Sequence, residues 1–145
     1  MDLSTSMQIS SSGLTVQRKR LDAISSNLAN IETTRTKEGG PYRRKDVVVT
    51  ALPLEDDFGN ALQNALGDNL KAAQVTQVVE DQNEPQMVYN PEHPDANERG
   101  YVAMPNVNLM SEMVEMMTAS RTFEANVTAM NASKAMSQRA IELGR

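Results

Sequence analysis

Residues 109–141 read LMSEMVEMMTASRTFEANVTAMNASKAMSQRAI. Apolar side chains recur there at seven-residue intervals, which is the spacing of a helix that packs along another helix. Asn108 precedes the segment as a candidate N-cap, and its charges run from acidic at the start to basic at the end, as the helix dipole favours. We predict one long C-terminal helix with two apolar series: Leu109, Met116, Phe123 and Met130, accompanied by Met113, Val127 and Ile141.

A second pattern of the same period lies at the other end of the chain. Gly13 interrupts it, and Asn30 or the Thr33-Thr34 pair marks its predicted end. Two long apolar stripes are most simply hidden by pairing the helices that carry them. The sequence therefore predicts an α+β fold in which long N- and C-terminal helices pair as an antiparallel coiled coil. The N-terminal stripe consists of Met7, Leu14, Leu21 and Leu28, with Leu3, Ile24 and Ile31 at the position offset by three.

Between the helices the pattern changes to short β-branched runs separated by glycine and proline, which predicts strands and turns. Strands are expected at 42–52, 75–80, 86–89 and 101–104. We interpret the intervening stretch 54–73 as a variable loop or marginal helix, because its leucines have four-residue spacing but its glycines weaken a helix. The predicted domains are an N-terminal helix (1–33), a β-rich insert with that loop (34–105) and a C-terminal helix (106–145).

Composition removes several classes of protein. The 145 residues carry a net charge of −5 and include ten methionines, no cysteine and no tryptophan. The lack of cysteine excludes disulfide scaffolds, thiol nucleophiles and cysteine-ligated metals. No apolar run approaches the ~20 residues that span a bilayer, and the acidic balance argues against general nucleic-acid binding. The first residues lack the basic start and apolar stretch of a cleavable signal peptide, so any export is expected to use another route.

The motifs that could carry chemistry are few. The only histidine lies in His93-Pro94-Asp95, a tripeptide also used by J-domain co-chaperones. Short strands are predicted on both sides instead of helices, so we expect a structural turn here. His93 with nearby carboxylates is a poor metal-ligand set, and no serine elbow or phosphate loop is present in the sequence. We therefore predict no catalytic, cofactor-binding or metal-binding residues, no cofactor and no enzymatic activity. The basic run Arg43-Arg44-Lys45 is expected to form ion pairs between subunits.

Four segments resemble the bacterial flagellar axial proteins, the family of rod, hook and hook-associated proteins. The run SSNLAN at residues 25–30, at the end of the N-terminal helix, is similar to the signature of that family. GPYRRK at 40–45, GYVAMPNVN at 100–108 and the segment 112–126 narrow the resemblance to the proximal rod of the basal body. The residues assigned to the family motif are Ser26, Asn27, Leu28, Ala29, Asn30, Gly40, Pro41, Tyr42, Arg43, Gly100, Tyr101, Pro105 and Asn106.

The resemblance implies a structural role. Subunits of this kind would polymerise through their terminal helices and transmit torque from the rotor ring to the distal rod and hook. They would lie in the periplasmic part of the basal body after passing through the flagellar type III export apparatus. The implied partners are the export apparatus, other proximal rod subunits, the rod–ring adaptor FliE and the distal rod protein, in one large helical hetero-oligomer with no nucleic acid and no membrane insertion.

Two other classes of function remain open on the sequence. A stand-alone coiled-coil adaptor or secretion chaperone would be a stable, fully helical monomer or dimer at low concentration. A rod subunit would instead order its terminal helices largely on assembly, since isolated amphipathic helices are marginal in water. An enzyme is the third alternative, and no constellation of catalytic groups supports it.

Overall fold

The computed structural model describes residues 3–53 and 71–143. In this described part of the chain, two long helices flank four strands, so the predicted α+β class is confirmed. The strands form two separate antiparallel pairs. The elements are α1 (Leu3–Ala29), β1 (Lys45–Pro53), β2 (Lys71–Glu80), β3 (Gln86–Tyr89), β4 (Tyr101–Met104) and α2 (Leu109–Leu143).

Both helices have local end signals that the sequence predicts. The Asn108 side chain accepts a hydrogen bond from the Ser111 amide at 3.2 Å, so it caps α2 as expected. At the end of α1 the Asn30 side chain donates to the Ser26 carbonyl at 2.8 Å. The same carbonyl accepts the Asn30 backbone amide at 3.2 Å, so Asn30 binds the last turn of α1 through both its backbone and its side chain.

The two helices pack against each other in opposite directions. Asn27 of α1 contacts Glu112 at the start of α2, where Nδ2 and Oε2 are 3.1 Å apart. Gly13 lies against Asn126, so close that a Cβ at position 13 would be 3.0 Å from Nδ2. From residue 13 to residue 27 of α1, the contacting residues of α2 run backward from 126 to 112, as they do in an antiparallel pair. A supercoil of the coiled-coil type stays a prediction.

The contact face of α2 differs in part from the apolar series that the sequence predicts. Met116, Phe123 and Met130 lie on it and are half-buried, whereas Leu109, Met113 and Ile141 are exposed. The second row on the contact face lies one residue earlier in each heptad than the predicted row of Met113, Val127 and Ile141. Its members are polar or small, so a pattern of apolar residues does not reveal them. That row consists of Glu112, Ala119, Asn126 and Ser133.

The contact face of α1 is closer to the prediction. Ile24 is buried, as is Val16, which the heptad assignment does not include. The other predicted stripe residues whose side chains are described are half-buried: Met7, Leu14, Leu21, Leu28 and Ile31.

The longer strand pair runs alongside α1. β1 and β2 pair from Lys45 opposite Glu80 to Pro53 opposite Lys71, with a register shift between Val48 and Val49. The Ala73 amide donates to the Ser12 hydroxyl of α1 at 3.2 Å, which fixes the far end of the pair against the helix. Residues 71–73, which the sequence prediction assigns to the loop, belong to β2. The rest of that stretch, residues 54–70, lies outside the described residues.

The shorter pair, β3 and β4, brings Tyr89 opposite Tyr101. Its loop is tied to the segment after α1, where the Thr34 hydroxyl donates to Asp95 at 2.8 Å. Val102 of β4 and Val107 just before α2 are buried, so this pair adds to the core near the start of α2. Within the described residues, neither helix combines the length and hydrophobicity that crossing a membrane requires.

Candidate functional site

A buried polar junction joins the two helices to the insert, and Asn27 lies at its centre. The side chain of Asn27 is 0% exposed. Its Nδ2 donates to the Lys45 carbonyl at 2.9 Å and to Glu112 Oε2 at 3.1 Å. Its Oδ1 accepts the Lys45 amide at 2.8 Å and the Tyr42 hydroxyl at 3.0 Å. An asparagine amide has two donors and two acceptor lone pairs, so every hydrogen-bonding position is used.

The Asn27 side chain therefore acts as a short extra strand beside β1. It pairs with both backbone groups of Lys45, the first residue of that strand, as a neighbouring strand would. A single side chain of α1 thus fixes where the insert begins relative to the helix pair.

Glu112 is the charged member of the junction, and it is 1% exposed. A buried carboxylate costs several kcal/mol unless it is paired and hydrogen-bonded. Arg44 supplies the pairing, because its Nε contacts Glu112 Oε1 while its Nη2 lies 3.1 Å from both oxygens of Glu115. Partial burial lowers the pKa of Arg44, but the Glu112 hydrogen bond and the charges of Glu112, Glu115 and Asp46 outweigh it and raise that pKa above its ordinary value.

Tyr42 connects the junction to the segment after α1. Its hydroxyl lies 3.1 Å from the Ser26 hydroxyl, and its amide donates to the Thr33 carbonyl at 3.0 Å. The chain returns to α1 through a turn at Gly39 and Gly40, whose φ angles of 89° and 83° lie in the left-handed region that glycine favours. The glycines of this turn thus bring Tyr42 back onto the helix.

Asp81, at the end of β2, is a smaller polar feature next to the junction. Its carboxylate accepts the Asn83 amide at 3.0 Å, and its own amide donates to the Arg44 carbonyl at 2.8 Å. The backbone and side-chain hydrogen bonds from Asn83, and then the charges of Arg44 and Arg43, lower the pKa of Asp81 below its ordinary value.

The structure brings together only part of the predicted motif. Ser26, Asn27 and Tyr42 meet in the junction, whereas Arg43 is exposed and its Nη1 lies 3.4 Å from the Asp81 carbonyl. Arg44 pairs within the chain, so the prediction of ion pairs between subunits is wrong for this residue. Leu28 is half-buried and Ala29 exposed, on other faces of the last turn of α1.

The remaining motif residues shape a second region around the short strand pair. Gly100 and Tyr101 lead into β4, and Pro105 after it is buried. The Asn106 side chain accepts a hydrogen bond from Gln86 Nε2 at 3.3 Å, which links the start of β3 to the segment that follows β4. His93 lies in the intervening loop, where its Nδ1 accepts the Asp95 amide at 3.1 Å. This is the structural turn that the sequence predicts.

Sequence reasoning does not identify Lys45 and Glu112 as partners of Asn27. It does not identify the ion pairs of Arg44 with Glu112 and Glu115 either. The available signal was an acidic residue on the buried side of a heptad pattern, which needs a cation from elsewhere in the chain. That cation lies 68 residues away in sequence, at Arg44. A single sequence does not reveal such a pair.

The junction holds α1, β1 and α2 together. A groove of about 300 Å³ opens beside it between α1, β1 and α2, lined by Ile24, Val47 and Ala119 among others. Within residues 3–53 and 71–143, no cluster of three or more histidines or carboxylates could hold a metal ion. Every buried side-chain polar atom of this described part has a hydrogen-bond partner.

Comparisons with known proteins identify the family. A family described as "Flagella basal body rod protein" matches residues 7–37, which include Asn27. A second, "Flagellar basal body rod FlgEFG protein C-terminal", matches residues 98–143, which include Glu112.

Full-length relatives give the same result. The chain is 43% identical over 147 residues to the flagellar basal-body rod protein FlgC of Bacillus subtilis, covering 97% of each. The FlgC protein of Borreliella burgdorferi is 39% identical over 155 residues, covering 99% of this chain and 98% of the relative. That of Escherichia coli O6:H1 is 39% identical over 145 residues, covering all of both. The chain therefore belongs to the FlgC family of flagellar basal-body rod proteins.

Proposed function

We propose that this protein is a structural subunit of the proximal rod of the bacterial flagellar basal body, polymerising through its terminal helices to transmit torque to the distal rod and hook. One observation carries the proposal beyond family membership. The first turns of α2 leave a row of large apolar side chains exposed, and one of them, Val114, lines the groove beside the junction. The row consists of Leu109, Met110, Met113, Val114 and Met117.

Such a row has little use in a protein that acts alone. Contiguous exposed apolar surface usually marks an interaction site, and unbranched methionines adapt to neighbours of different shape. Leu109, Met113 and Ile141, which are exposed within the chain, are therefore assigned to contacts between subunits. The remaining predicted interface residues would be shared between the helix pair and its neighbours.

The buried junction supports a mechanical role. Torque can pass from helices to insert only if their relative orientation is fixed, and close-packed, fully hydrogen-bonded contacts resist deformation. Asn27 and Arg44 connect α1, β1 and α2 in this way. In the proposed rod the helix pair, as an antiparallel coiled coil, lies in the inner tube and the insert lies outside it.

The finer points of the proposal follow from the rod role. The partners are other proximal rod subunits, the adaptor FliE, the distal rod protein and the flagellar export apparatus. The subunit reaches the periplasmic part of the basal body through the flagellar export apparatus, and it catalyses no reaction. The three-part division at 1–33, 34–105 and 106–145 is its domain plan.

A proline substitution in either helix tests the proposal. Leu21→Pro and Val127→Pro each remove a helical hydrogen bond and introduce a clash, at a cost of about 3 kcal/mol or more. We expect both variants to abolish swimming while the β1–β2 pair stays protected from amide exchange. Leu21→Met and Val127→Leu, which preserve the helix, serve as matched controls and should swim normally. Normal swimming of either proline variant would contradict assembly through the helices.

The coiled-coil adaptor or secretion chaperone stays the second candidate, because α1 and α2 already pack on each other within one chain. An adaptor would be fully helical and self-sufficient at low concentration, and its loss would leave assembled rods intact. Rods isolated from a deletion strain distinguish the two roles. A missing proximal rod supports the structural subunit, and a complete rod supports the adaptor.

A further inference from the structure

The outer face of the β3–β4 pair carries an aromatic surface that the junction and the helix interface do not use. Met87 and Tyr89 are two residues apart on β3 and so point to the same side, and Tyr101 pairs directly with Tyr89. Their exposed fractions are 55%, 65% and 42%, respectively. We call these three residues the tyrosine patch. Tyrosines are enriched at protein interfaces, so two adjacent exposed tyrosines are a candidate contact surface.

The tyrosine patch is held in one conformation although it is exposed. The rings of Tyr89 and Tyr101 meet edge to face, with centroids 5.3 Å apart and planes at 66°. Gly100 has a φ of +77°, and a Cβ there would lie 2.9 Å from Cε2 of Tyr89. The Tyr89 ring therefore rests on backbone that only glycine leaves open. A partner would meet rings whose rotational freedom is already restricted, which reduces the entropy lost on binding.

The loop that joins the two tyrosine strands makes this surface acidic. Residues 90–100 carry Glu92, Asp95 and Glu98 against a single arginine, Arg99. Glu92 and Glu98 are exposed and form no salt bridge with another described residue. Tyrosine faces attract cations, and carboxylates pair with guanidinium and ammonium groups. The chemistry that fits the patch and its loop is thus a segment rich in arginine and lysine.

The chain itself presents such a segment on the middle of α1. Arg18, Lys19 and Arg20 are consecutive and exposed, and none of them forms a salt bridge within the described part of the chain. We call these three residues the basic turn. Neither β3 nor β4 contacts α1 of its own chain. The two complementary surfaces therefore do not meet within one molecule.

We propose that the tyrosine patch and its acidic loop bind the basic turn of a second copy of this chain. The two surfaces differ, so the contact is head-to-tail and leaves one of each surface free on every pair of copies. Such contacts form rings or open helical arrays. The inference rests on the proposed function, since repeated contact between copies is what an assembling rod subunit needs, and it adds a contact made by the insert.

Reciprocal charge reversal tests the proposal on the full chain. One variant carries Glu92→Lys and Glu98→Lys, and the other carries Arg18→Glu and Lys19→Glu. Sedimentation of each protein up to millimolar concentration should show that wild-type copies associate, and that either variant alone has a Kd raised about tenfold or more. An equimolar mixture of the two variants should regain the wild-type affinity, because each then meets a complementary surface.

Matched controls separate this contact from general electrostatics and from misfolding. Glu38→Lys with Glu84→Lys makes the same charge change at exposed sites outside the loop and should associate like wild type. Tyr89→Ala should weaken association as the loop variant does, whereas Val48→Ala, an exposed apolar residue of β1, should not. Far-UV circular dichroism checks that every variant keeps the wild-type helix content.

Three outcomes would overturn the proposal: a mixture that does not regain affinity, a control variant that loses as much as the loop variant, or a wild-type chain that stays monomeric throughout. These outcomes leave the proposed rod function testable on its own. That function depends on the proline variants and on swimming, whereas the patch depends on association of purified copies. If the proline variants lose swimming but the charge reversal fails, the patch contact is rejected and the proposed rod function is supported.

Discussion

At the scale of single residues, Asn27 connects three parts of the chain that are distant in sequence. Its partners are 15, 18 and 85 residues away, in the post-helical segment, β1 and α2. The sequence singles out Asn27 only because it lies in the run SSNLAN, which resembles the signature of the flagellar axial proteins. Its partners follow from the fold, since an isolated asparagine near a helix end is otherwise typical of a local cap.

The first prediction concerns the loss of this amide. Asn27→Ala removes the Asn27 partner of the Lys45 amide, the Lys45 carbonyl and one Glu112 oxygen, and it leaves the Tyr42 hydroxyl with Ser26 alone. Each buried group left unsatisfied costs about 1–3 kcal/mol, and relaxation recovers part of it, so we expect a loss of about 3 kcal/mol in the free energy of unfolding. Urea denaturation followed by circular dichroism measures this loss.

Asn30→Ala is the matched control for that experiment. Its amide donates only to Ser26 in the same helix end, and its oxygen accepts from Thr33 three residues away. We expect this variant to lose less than about 1 kcal/mol. Equal losses in the two variants would mean that Asn27 is also no more than a local helix-end residue.

The second prediction is a pH dependence at Asp81. Its pKa is lowered in the folded chain by the Asn83 hydrogen bonds and by Arg44 and Arg43. A lowered pKa stabilises the fold above the ordinary value of about 3.9, and this stabilisation is lost as the pH falls through the folded value below it. The stability difference between wild type and Asp81→Asn should therefore be constant near neutral pH and shrink below about pH 4. A difference that is flat down to pH 2 would contradict this assignment.

At the scale of elements, the sequence predicts the number, order and type of the helices and strands in residues 3–53 and 71–143, because periodicity and turn residues report local structure. It predicts the pairing of the helices only in part. The row of α2 that faces α1 contains Glu112, Asn126 and Ser133, which a search for apolar residues passes over. The apolar pattern instead selects Met113, one position away, which is exposed.

The third prediction tests the register of the helix pair through Gly13. Glycine within a helix costs about 1 kcal/mol relative to alanine, but a Cβ at position 13 would crowd the Asn126 amide. Gly13→Ala should therefore bring little gain alone and about 1 kcal/mol of stabilisation when Asn126→Ala is also present. The double-mutant cycle, measured by thermal unfolding, isolates this coupling. The same gain in both backgrounds would show that residues 13 and 126 do not meet.

At the scale of the whole molecule, burial is uneven along the helix pair. Ile24, Asn27, Tyr42, Val47 and Glu112 are all buried around the junction. Toward the other end, the contact face of α2 continues with Asn126 and Ser133, and Gly13 faces it from α1. Polar and small side chains bury little apolar area, so they stabilise the pair less. One end of the molecule is thus held tightly and the other weakly.

The fourth prediction is that amide hydrogen exchange at low micromolar concentration divides each helix in two. Residues 20–29 and 110–120 should exchange slowly together with β1, because opening them disrupts the junction, whereas residues 3–14 and 126–143 should exchange faster. A rod subunit with this gradient would complete the ordering of its weak end against neighbours, which keeps free copies from forming the full interface too early. Fast exchange through both whole helices would mean that even the junction orders only on assembly. Uniform protection would instead describe a self-sufficient helix pair, and the coiled-coil adaptor would then become the better account of this chain.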